Sequence, residues 1–259
     1  LLTTHVFAEV IPASDSRVVY VGRTQVVGAD VSFDWTATYF RIAFSGESLT
    51  MKASETKWDA DADKAATRHN YYNVWIDSST SAAPHRIIEV AGNDTVIELI
   101  DPMYLKKSRR AVHEVIVQKR TEGEQGKTTI HEFATDKKGK FFQAEPLKVR
   151  QLEFIGDSYT CGYGIDAKSR LERFSPETEN ASRSYAGIVS RYFGADYVAI
   201  AHSGMGIARN YNSKFKGWWM PDRYLQTFDE DSTQVTRWEA TKSDFHPAMT
   251  IVYLGANDF

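Results

Sequence analysis

Residues 152–164 read Leu152-Glu153-Phe154-Ile155-Gly156-Asp157-Ser158-Tyr159-Thr160-Cys161-Gly162-Tyr163-Gly164. The apolar run that ends at Ile155 predicts a buried strand, and the glycine-rich segment after it predicts a loop that opens a helix. Ser158 would then lie at the carboxyl end of a strand, where open α/β sheets bind ligands. Backbone N–H groups at the start of the helix would favour negative charge beside its hydroxyl. This arrangement is typical of a nucleophile for acyl transfer.

Two later apolar segments also end in small polar loops. Tyr197–Ala201 is followed by His202-Ser203-Gly204, and Thr250–Leu254 is followed by Gly255-Ala256-Asn257-Asp258. Both segments have the length and apolar character of buried strands, as does Gln151–Ile155. Strands that alternate with helices predict a parallel sheet with right-handed crossovers. The carboxyl ends of all three strands, with their loops, would then lie at one edge of the sheet.

A helix is predicted between the first two of these strands. Its apolar residues have the spacing i, i+3, i+4, i+7 and i+8 and so share one helical face; they are Tyr185, Ile188, Val189, Tyr192 and Phe193. Either Ser182 or Ser184 is suited to cap its start, because a serine hydroxyl accepts from a free backbone N–H group. Gly194 is suited to end it in a left-handed conformation.

Residues 1–146 have the alternation and turn spacing of short β-strands, which predicts an all-β jelly-roll sandwich. The predicted strands are 39–44, 72–77, 87–90, 96–100, 112–119 and 128–133. No helix is predicted in this part, and the polar segment Trp58–Arg68 is interpreted as a loop or a short helical turn. The charged stretch Lys137–Val149, which contains Gly139 and Pro146, is interpreted as a linker. The predicted domains are therefore 1–146 and 147–259, the second with an α/β/α parallel sheet.

Composition excludes several classes of protein. The net charge of −3 gives no general attraction to nucleic acid or to an anionic membrane. No apolar run of 18 residues is present that would predict a transmembrane helix. The single cysteine, Cys161, excludes an internal disulfide and fits a cytosolic protein as well as a bacterial secreted or periplasmic one. Six Trp and thirteen Tyr suit stacking on sugars, although a β-rich core also uses aromatic residues.

The three loops of the predicted sheet edge carry complementary chemistry. Ser158 offers a hydroxyl nucleophile, Gly204 an accessible backbone N–H, and Asn257 a neutral side-chain amide donor. Two backbone N–H groups and an amide would form an oxyanion hole for a tetrahedral intermediate. Each residue also has a structural reading, because serine caps helices and Gly and Asn are common in turns. Their agreement in register after three strands favours the catalytic reading.

These residues also resemble a known family. Gly156-Asp157-Ser158, Ser203-Gly204 and Gly255-Ala256-Asn257-Asp258 resemble blocks I, II and III of the SGNH (GDSL-type) hydrolases. Further segments are similar to carbohydrate esterase family 2, which places a β jelly roll before the hydrolase domain; they are Phe154–Gly164, Glu179-Asn180-Ala181, Ser184-Tyr185-Ala186, Ser203–Gly206 and Met220-Pro221-Asp222, and in the β part Gly22-Arg23-Thr24, Tyr71–Val74 and Lys119–Glu122. The resemblance therefore covers most of the chain.

The resemblance implies a serine esterase that removes acetyl groups from O-acetylated sugars, as in xylan, mannan or glucomannan. Ser158 would attack the acetyl carbonyl, while the N–H groups of Ser158 and Gly204 and the amide of Asn257 hold the oxyanion. A histidine would take the serine proton and later activate water. The resemblance implies no metal and no cofactor. It favours a secreted or periplasmic bacterial protein, and a start at Leu1 without Met fits either a mature form after signal removal or an engineered start.

The general base is not identified in this sequence. In the family it is a late histidine, often within Asp-x-x-His, so we expect it beyond Phe259, with an incomplete hydrolase domain in 147–259. His202 lies two residues before Gly204, and we expect it to position or pack rather than to act as the base. His246 precedes the third strand and so would lie at its far end. The other five histidines fall in the β part.

Two other functions remain open from the sequence. The missing base would fit a glycan-binding protein with a degenerate esterase domain. The same fold also carries other acyl hydrolases, such as lipases and thioesterases, although the polar, aromatic loops after Ser158 argue against a long acyl pocket. The expected partner in the leading reading is an acetylated carbohydrate.

Several further residues invite a functional reading. Asp59, Asp61 and Asp63 suggest calcium, but the Gly and the final Glu of an EF-hand loop are missing. The basic run Lys106–Arg110 is interpreted as a solvated face, and Cys161 as a small buried residue. Asp157 and Asp258 are expected to organise loops. Tyr211 and Trp218-Trp219 fit either a sugar cleft or the core.

Overall fold

The computed structural model describes residues 9–58, 68–78, 80, 83–212, 218–231 and 236–259. Most of the predicted loop Trp58–Arg68, including Asp59, Asp61 and Asp63, lies outside these described residues. Within them, an antiparallel β sandwich is followed by a smaller parallel sheet with short helices. This arrangement confirms the predicted fold class. Where the chain is described, none of its helices has the length and apolar character needed to span a membrane.

The N-terminal part contains two antiparallel sheets. Its strands are β1 (Val10–Pro12), β2 (Val19–Val21), β3 (Gln25–Val27), β4 (Asp30–Phe33), β5 (Tyr39–Ser45), β6 (Leu49–Thr56), β7 (Asn70–Ile76), β8 (Arg86–Val90), β9 (Thr95–Glu98), β10 (His113–Lys119), β11 (Lys127–Thr135) and β12 (Lys140–Phe142). The first sheet has the order β3-β4-β11-β6-β9, and β1 also pairs with β11. The second has the order β12-β5-β10-β7-β8, and β2 also pairs with β5.

The two sheets pack face to face around an apolar core. Phe33 and Phe133 come from the first sheet and Phe40 from the second, and the ring centroids of Phe40 and Phe133 lie 5.2 Å apart. Burial of each such side chain stabilises the fold by about 1.5–3 kcal/mol. The alternation that predicted these strands therefore reflects one apolar face on each sheet.

The structure also corrects the sequence analysis of this part. The six predicted strands are present as β5 and β7–β11, with ends shifted by no more than two residues. The expectation that no helix occurs here was wrong, because α1 (Pro102–Lys107) follows Asp101, whose carboxylate accepts the N–H of Met103 at 2.8 Å. The predicted linker Lys137–Val149 contains β12, which pairs with β5.

The C-terminal part contains a three-stranded parallel sheet among the described residues. Strands β13 (Gln151–Gly156), β14 (Asp196–Ala201) and β15 (Met249–Tyr253) have the order β14-β13-β15. Gly156 pairs with both Ala201 and Tyr253, so the three strands end level with one another. This register confirms the prediction that their loops share one edge of the sheet.

Short helices surround this sheet: α2 (Ser158–Cys161), α3 (Tyr185–Tyr192) and α4 (Met220–Arg223). Helix α3 confirms the predicted helix, and Gly194 follows its end in a left-handed conformation. Ser184 occupies the N-cap position, but its hydroxyl donates to the carbonyl of Ala181 at 2.9 Å instead of capping the helix.

Of the five apolar residues predicted to share one face of α3, Tyr185 and Val189 pack against the core. Ile188 and Tyr192 are exposed, whereas Ala186, Gly187 and Ser190 are buried. The helix lies so close to the preceding turn that a Cβ at residue 187 would approach the Ser182 carbonyl oxygen to 2.3 Å. Its contact face therefore combines these small residues with the partly buried Tyr185 and Val189.

The sandwich and the parallel sheet share an extensive interface. Tyr39 of β5 packs in one apolar cluster with Phe154 of β13 and Tyr197 of β14. The buried carboxylate of Asp196 accepts from the Tyr39 hydroxyl at 2.8 Å and forms an ion pair with Arg41. Both apolar packing and buried charge thus fix the second sheet on the first.

Candidate active site

Ser158 lies where the sequence predicted, immediately after the central strand of the parallel sheet. Strand β13 ends at Gly156, and Asp157 caps α2 by accepting the N–H of Tyr159 at 3.1 Å. Ser158 is the first residue of α2 and is partly buried. It lines an open pocket of about 500 Å³ together with Gly162, Tyr163 and others. The serine is therefore held at the mouth of the sheet and is accessible.

Asn257 connects the loops of the sheet edge. Its amide nitrogen donates to Asp157 Oδ2 at 3.2 Å and to the carbonyl oxygen of Met205 at 2.9 Å. Asp157 directly precedes Ser158, and Met205 directly follows Gly204. The side chain of Asn257 thus joins the residue before Ser158 to the residue after Gly204.

Several backbone hydrogen bonds fix the loop that carries Gly204. Gly204 has a φ of 80°, in the left-handed region that favours glycine, and its carbonyl accepts the N–H of Tyr211 at 2.8 Å. The carboxylate of Asp258 accepts the N–H groups of the next segment, which are those of Ile207, Ala208 and Arg209 at 2.6–3.2 Å.

Asp258 and Asp157 therefore organise loops, as the sequence predicted. Burial raises the pKa of Asp258, but the backbone N–H groups of residues 207–209 outweigh this effect and lower it below its ordinary value. At Asp157, burial dominates and raises the pKa in spite of the N–H of Tyr159. Neither carboxylate is hydrogen-bonded to the Ser158 hydroxyl among the described contacts.

His202 is buried in an ion-pair network rather than aimed at Ser158. Its Nδ1 lies 2.7 Å from Asp229 Oδ2, and the other carboxylate oxygen of Asp229 accepts from Arg223 at 2.7 Å. Burial lowers the pKa of His202, but the carboxylates of Asp229 and Glu122 outweigh it and raise the pKa to about 9. The ring is thus protonated near neutral pH, which supports the expected positioning role.

His246 lies away from the serine. The N–H of His246 hydrogen-bonds to the side chain of Gln151, which begins β13. This contact places His246 at the amino end of the sheet, as predicted. Among the described residues, no histidine ring hydrogen-bonds to the Ser158 hydroxyl.

Glu122 of the β sandwich reaches the loops of the sheet edge. Its side chain is fully buried, and its Oε2 accepts the N–H of Ser203 at 2.5 Å and the thiol of Cys161 at 3.7 Å. The backbone N–H of Glu122 donates to Glu179 Oε2 at 3.2 Å. Burial, then the charge of Glu122, raises the pKa of Glu179 well above its ordinary value.

Two further buried charged groups, Asp34 and Lys119, lie near Glu122 and Asp229. Asp34 of the sandwich accepts the N–H groups of Asp229 and Glu230 at 2.8 and 3.2 Å, and burial followed by the charge of Asp229 raises its pKa to about 7. Lys119 donates to the carbonyls of Thr121 and Glu122 at 2.7 and 2.8 Å. Burial lowers the pKa of Lys119 to about 8.

Two clusters have the residue types of metal ligands, with ligand atoms within 4.8 Å of one another: Glu122, Cys161 and Glu179, and His202, Asp229 and Glu230. In the second cluster, the imidazole of His202 already forms ion pairs with Asp229 and Glu230, and Glu230 also pairs with Arg223. In the first, the thiol donates to Glu122, and burial raises the pKa of Cys161 well above its ordinary value, so it remains a thiol. We interpret both clusters as parts of one charged network.

The sequence analysis missed most of this network. Glu122 occurs in a segment that resembles the family, Lys119–Glu122, but no pattern distinguishes its carboxylate from other acidic residues. Asp229 and Asp34 carry no local signal, because their partners are distant in the chain. Cys161 is fully buried, which confirms its predicted packing role, and the run Lys106–Arg110 is largely exposed, as predicted.

Tyr211, Trp218 and Trp219, which follow Gly204 in the chain, are not fully buried. Tyr211 is exposed, and Trp218 and Trp219 are partly buried. The guanidinium of Arg223 lies 5.4 Å from the ring centroid of Trp218, a cation–π distance. Tyr211 thus lies at the surface, whereas Trp218 and Trp219 lie between the surface and the interior.

Comparison with known proteins agrees with this architecture. The model of the family "Carbohydrate esterase 2 N-terminal" matches residues 20–144, and that of "GDSL-like Lipase/Acylhydrolase" matches residues 152–259. The chain is 30% identical over 230 residues to an acetylxylan esterase / glucomannan deacetylase of Cellvibrio japonicus. The aligned region covers 88% of this chain and 56% of that protein. The chain is 31% identical over 219 residues, or 85% of its length, to the cellulase/esterase CelE of Acetivibrio thermocellus, of which this covers 25%.

Solved structures give the same result. A family two carbohydrate esterase from Clostridium thermocellum, in complex with cellohexaose, superposes with a TM-score of 0.78 at 27% identity. The match covers 93% of this chain and 66% of that one. The chain thus spans between a quarter and about half of the length of these two curated relatives.

Proposed function

The chain belongs to carbohydrate esterase family 2, and on that premise we propose that it is a serine esterase that removes O-acetyl groups from polysaccharides or oligosaccharides of the xylan, mannan or glucomannan type. The observation that carries the proposal is the pair of hydrogen bonds from Asn257, which join the loops of Ser158 and Gly204 at one sheet edge. We assign the β domain to 1–146 and the hydrolase domain to 147–259, in a secreted or periplasmic protein.

The reaction begins with attack of Ser158 Oγ on the acetyl carbonyl carbon. The carbonyl oxygen becomes an oxyanion, which the N–H groups of Ser158 and Gly204 and the amide of Asn257 stabilise. The sugar oxygen then leaves with the proton taken from Ser158, and an acetyl-enzyme remains. Water then adds to the acetyl carbonyl carbon and gives one of its protons to Ser158 Oγ as the acyl bond breaks, and acetic acid leaves as acetate and a proton. Asn257 exchanges one of its present acceptors for the oxyanion.

This sequence of steps needs a proton acceptor near Ser158, for which the family pattern supplies a late histidine. His202 is unsuited to the role, because its pKa of about 9 keeps it protonated at neutral pH and no described hydrogen bond joins its ring to Ser158. A general base must instead be neutral at working pH and within hydrogen-bond reach of the hydroxyl. We therefore assign His202 to positioning of the loop that carries Gly204.

The test is acetate release from acetylated xylan and glucomannan by the full-length protein and its Ser158→Ala variant. We expect the variant to lose at least about 1000-fold in kcat, because no other group replaces the nucleophile. Ser169→Ala, in an exposed loop after the site, serves as the matched control with unchanged activity. Full activity of Ser158→Ala would refute the assignment.

Two further readouts separate the alternatives. Binding of cello- or manno-oligosaccharides without turnover by the full-length protein would favour a glycan-binding protein with a degenerate esterase domain. Faster hydrolysis of octanoyl than of acetyl esters would favour another acyl hydrolase. We expect turnover with a preference for acetyl esters, since the pocket beside Ser158 is open and partly polar.

A further inference from the structure

We propose that Glu122, a residue of the β domain, positions the loop that carries Gly204, so that the β domain is part of the catalytic machinery of the hydrolase domain. The proposal rests on the proposed function, because it assigns Gly204 to the oxyanion hole. It gives the β domain a role beyond that of a neighbouring module. Glu122 does not touch the substrate in this account and is a positioning residue.

The first support is the contact of Glu122 with Ser203. Oε2 of Glu122 accepts the N–H of Ser203 at 2.5 Å, and Glu122 is fully buried. The oxyanion donor, the N–H of Gly204, belongs to the very next peptide unit. The direction of that N–H depends on the backbone dihedral angles of Ser203. An anchored N–H at Ser203 therefore restricts where the donor at Gly204 points.

The second support is that the same oxygen contacts the nucleophile's helix. The thiol of Cys161, the last residue of α2, donates to Glu122 Oε2 at 3.7 Å. Ser158 is the first residue of this helix. Glu122 Oε2 thus links the loop of Ser158 to that of Gly204. Asn257 makes the equivalent link through Asp157 and Met205. Two side chains therefore link the loop of Ser158 to the loop of Gly204, namely Glu122 of the β domain and Asn257 of the hydrolase domain.

The third support is that Glu122 itself is held in place by close domain packing. A Cβ at Gly123 would approach Asp229 Oδ2 to 2.4 Å, so only glycine allows this approach. The N–H of Glu122 donates to Glu179 Oε2 at 3.2 Å, and Lys119 donates to the Glu122 carbonyl at 2.8 Å. Both the N–H and the carbonyl group of Glu122 are thus hydrogen-bonded, which fixes the backbone that carries the carboxylate.

The β-part segments that resemble the family converge on this same interface. Arg23 donates to the carbonyl of Gln226 at 2.8 Å, and Asn73 donates to Asn180 at 3.0 Å. Arg120 forms an ion pair with Asp166 at 2.8 Å. All three contacts cross from the sandwich to the hydrolase domain. Each of the three β-part segments that resemble the family therefore contributes one of these contacts to the hydrolase domain.

Electrostatics explains why a carboxylate occupies this position. A hydrogen bond from a backbone N–H to a carboxylate is shorter and about twice as strong as one between neutral groups. The protonated ring of His202, whose Nδ1 lies 3.8 Å from Glu122 Oε2, adds attraction to the loop. Gln at 122 would keep the shape but lose the charge, and Asp would keep the charge but retract it by one methylene group.

The experiment compares Glu122→Gln with the wild type in the full-length protein. We expect kcat for an acetyl ester to fall about 10- to 100-fold, less than the 100- to 1000-fold that loss of a whole oxyanion donor costs, with KM within about twofold. Binding of a boronic acid inhibitor, which forms a tetrahedral adduct with serine, should weaken by a similar factor. Oligosaccharide binding should stay unchanged.

Tyr71→Phe is the matched control, because it removes another hydrogen bond between the domains, from the Tyr71 hydroxyl to Glu177 Oε1 at 2.9 Å, far from Ser203 in the chain. We expect its kcat to equal that of the wild type. If Glu122→Gln does not fold cooperatively, the same kinetic comparison is made with Glu122→Asp, for which we expect the same loss.

A folded Glu122→Gln enzyme with wild-type kcat would overturn the inference. So would a loss confined to KM or equal to that of Tyr71→Phe, since either would indicate a merely structural role. Failure of the wild type to release acetate would instead refute the proposed function, so the two failures are distinguishable.

Discussion

The core of the β sandwich and the interface that the sandwich shares with the parallel sheet both contain fully buried side chains, but of different chemistry. In the core these are apolar, as with Phe40 and Phe133. At the interface they include Lys119, Glu122 and Asp229, each with an exposed fraction of 0%. Apolar burial stabilises in proportion to area, whereas a buried ion pair recovers its desolvation cost only with good geometry and full hydrogen bonding.

The interface does not reach full hydrogen bonding. One carboxylate oxygen of Glu122 and one of Glu179 have no hydrogen-bond partner among the described residues, and neither does Nε of Arg223. Unpaired buried polar atoms are costly. We infer that the core supplies most of the stability, while the interface fixes the positions of the catalytic loops at some cost.

The largest expected effect is on the core side of the comparison. Phe133→Ala removes a fully buried ring that packs on Phe40, so we expect the free energy of unfolding to fall by about 3–5 kcal/mol. Urea unfolding followed by tryptophan fluorescence measures it. Val26→Ala on β3, where Val26 is 58% exposed, is the control, with an expected change below about 0.5 kcal/mol. A loss below 1 kcal/mol in Phe133→Ala would contradict the account.

The next effect is on the site. Asn257→Ala removes the amide that links the loops and is assigned to the oxyanion hole, so kcat should fall about 100- to 1000-fold. The unfolding free energy should change far less than in Phe133→Ala, because Asn257 is only partly buried. Steady-state kinetics and urea unfolding of the same preparation test both. Asn93→Ala, in an exposed turn, is the control; a kcat loss below tenfold would remove Asn257 from the oxyanion hole.

The smallest effect concerns the charges of the interface. The pKa of His202 is raised from an ordinary value of 6.5 to about 9. Its contribution to stability is therefore fully present below pH 6.5 and is lost as the pH rises to 9. The contribution is on the order of 3 kcal/mol. This contribution depends on the charges that face the ring. The carboxylates of Asp229, Glu122 and Glu230 favour the protonated form, and the guanidinium of Arg223 opposes it.

Urea unfolding at pH 6.5 and pH 9 tests this for the wild type and for His202→Gln. Asp34 and Lys119 also titrate near this range, but both remain in the variant and cancel in the comparison. We expect the wild type to lose about 3 kcal/mol more than the variant over this interval. His246→Gln, at the amino end of the sheet, should behave as the wild type. Equal pH dependence in wild type and His202→Gln would show that the ion pair carries no stability.

The sequence predicts those strands whose inward positions are large and apolar. β5, β13 and β14 have such runs, and each was predicted close to its observed ends. Strand β6 (Leu49–Thr56) alternates equally well in the structure but was missed, because two of its inward positions are Ala53 and the carboxylate of Glu55, which pairs with Asn70. Helix α1 was missed although Asp101-Pro102 is a start signal, because only one of its residues, Leu105, is buried.

The sequence predicted only those site residues that come directly after a strand of the parallel sheet. Ser158, Gly204 and Asn257 each follow a parallel strand, and parallel strand ends meet by geometry. The supporting contacts of Glu122 and Asp34 join residues 81 and 195 positions apart. Their pairing depends on how the sandwich docks on the sheet, which no local pattern encodes. Their discovery therefore required the tertiary structure.

Covalent labelling tests most directly the claim that the three loops assemble one reactive serine. The full-length protein is treated with a phosphonate ester that reacts with activated serines, digested with trypsin and analysed by mass spectrometry. We predict an adduct on peptide 151–168, which contains Ser158 as its single serine, and much slower labelling in Asn257→Ala. Labelling of a different serine, or none in a folded protein that releases acetate, would contradict the account.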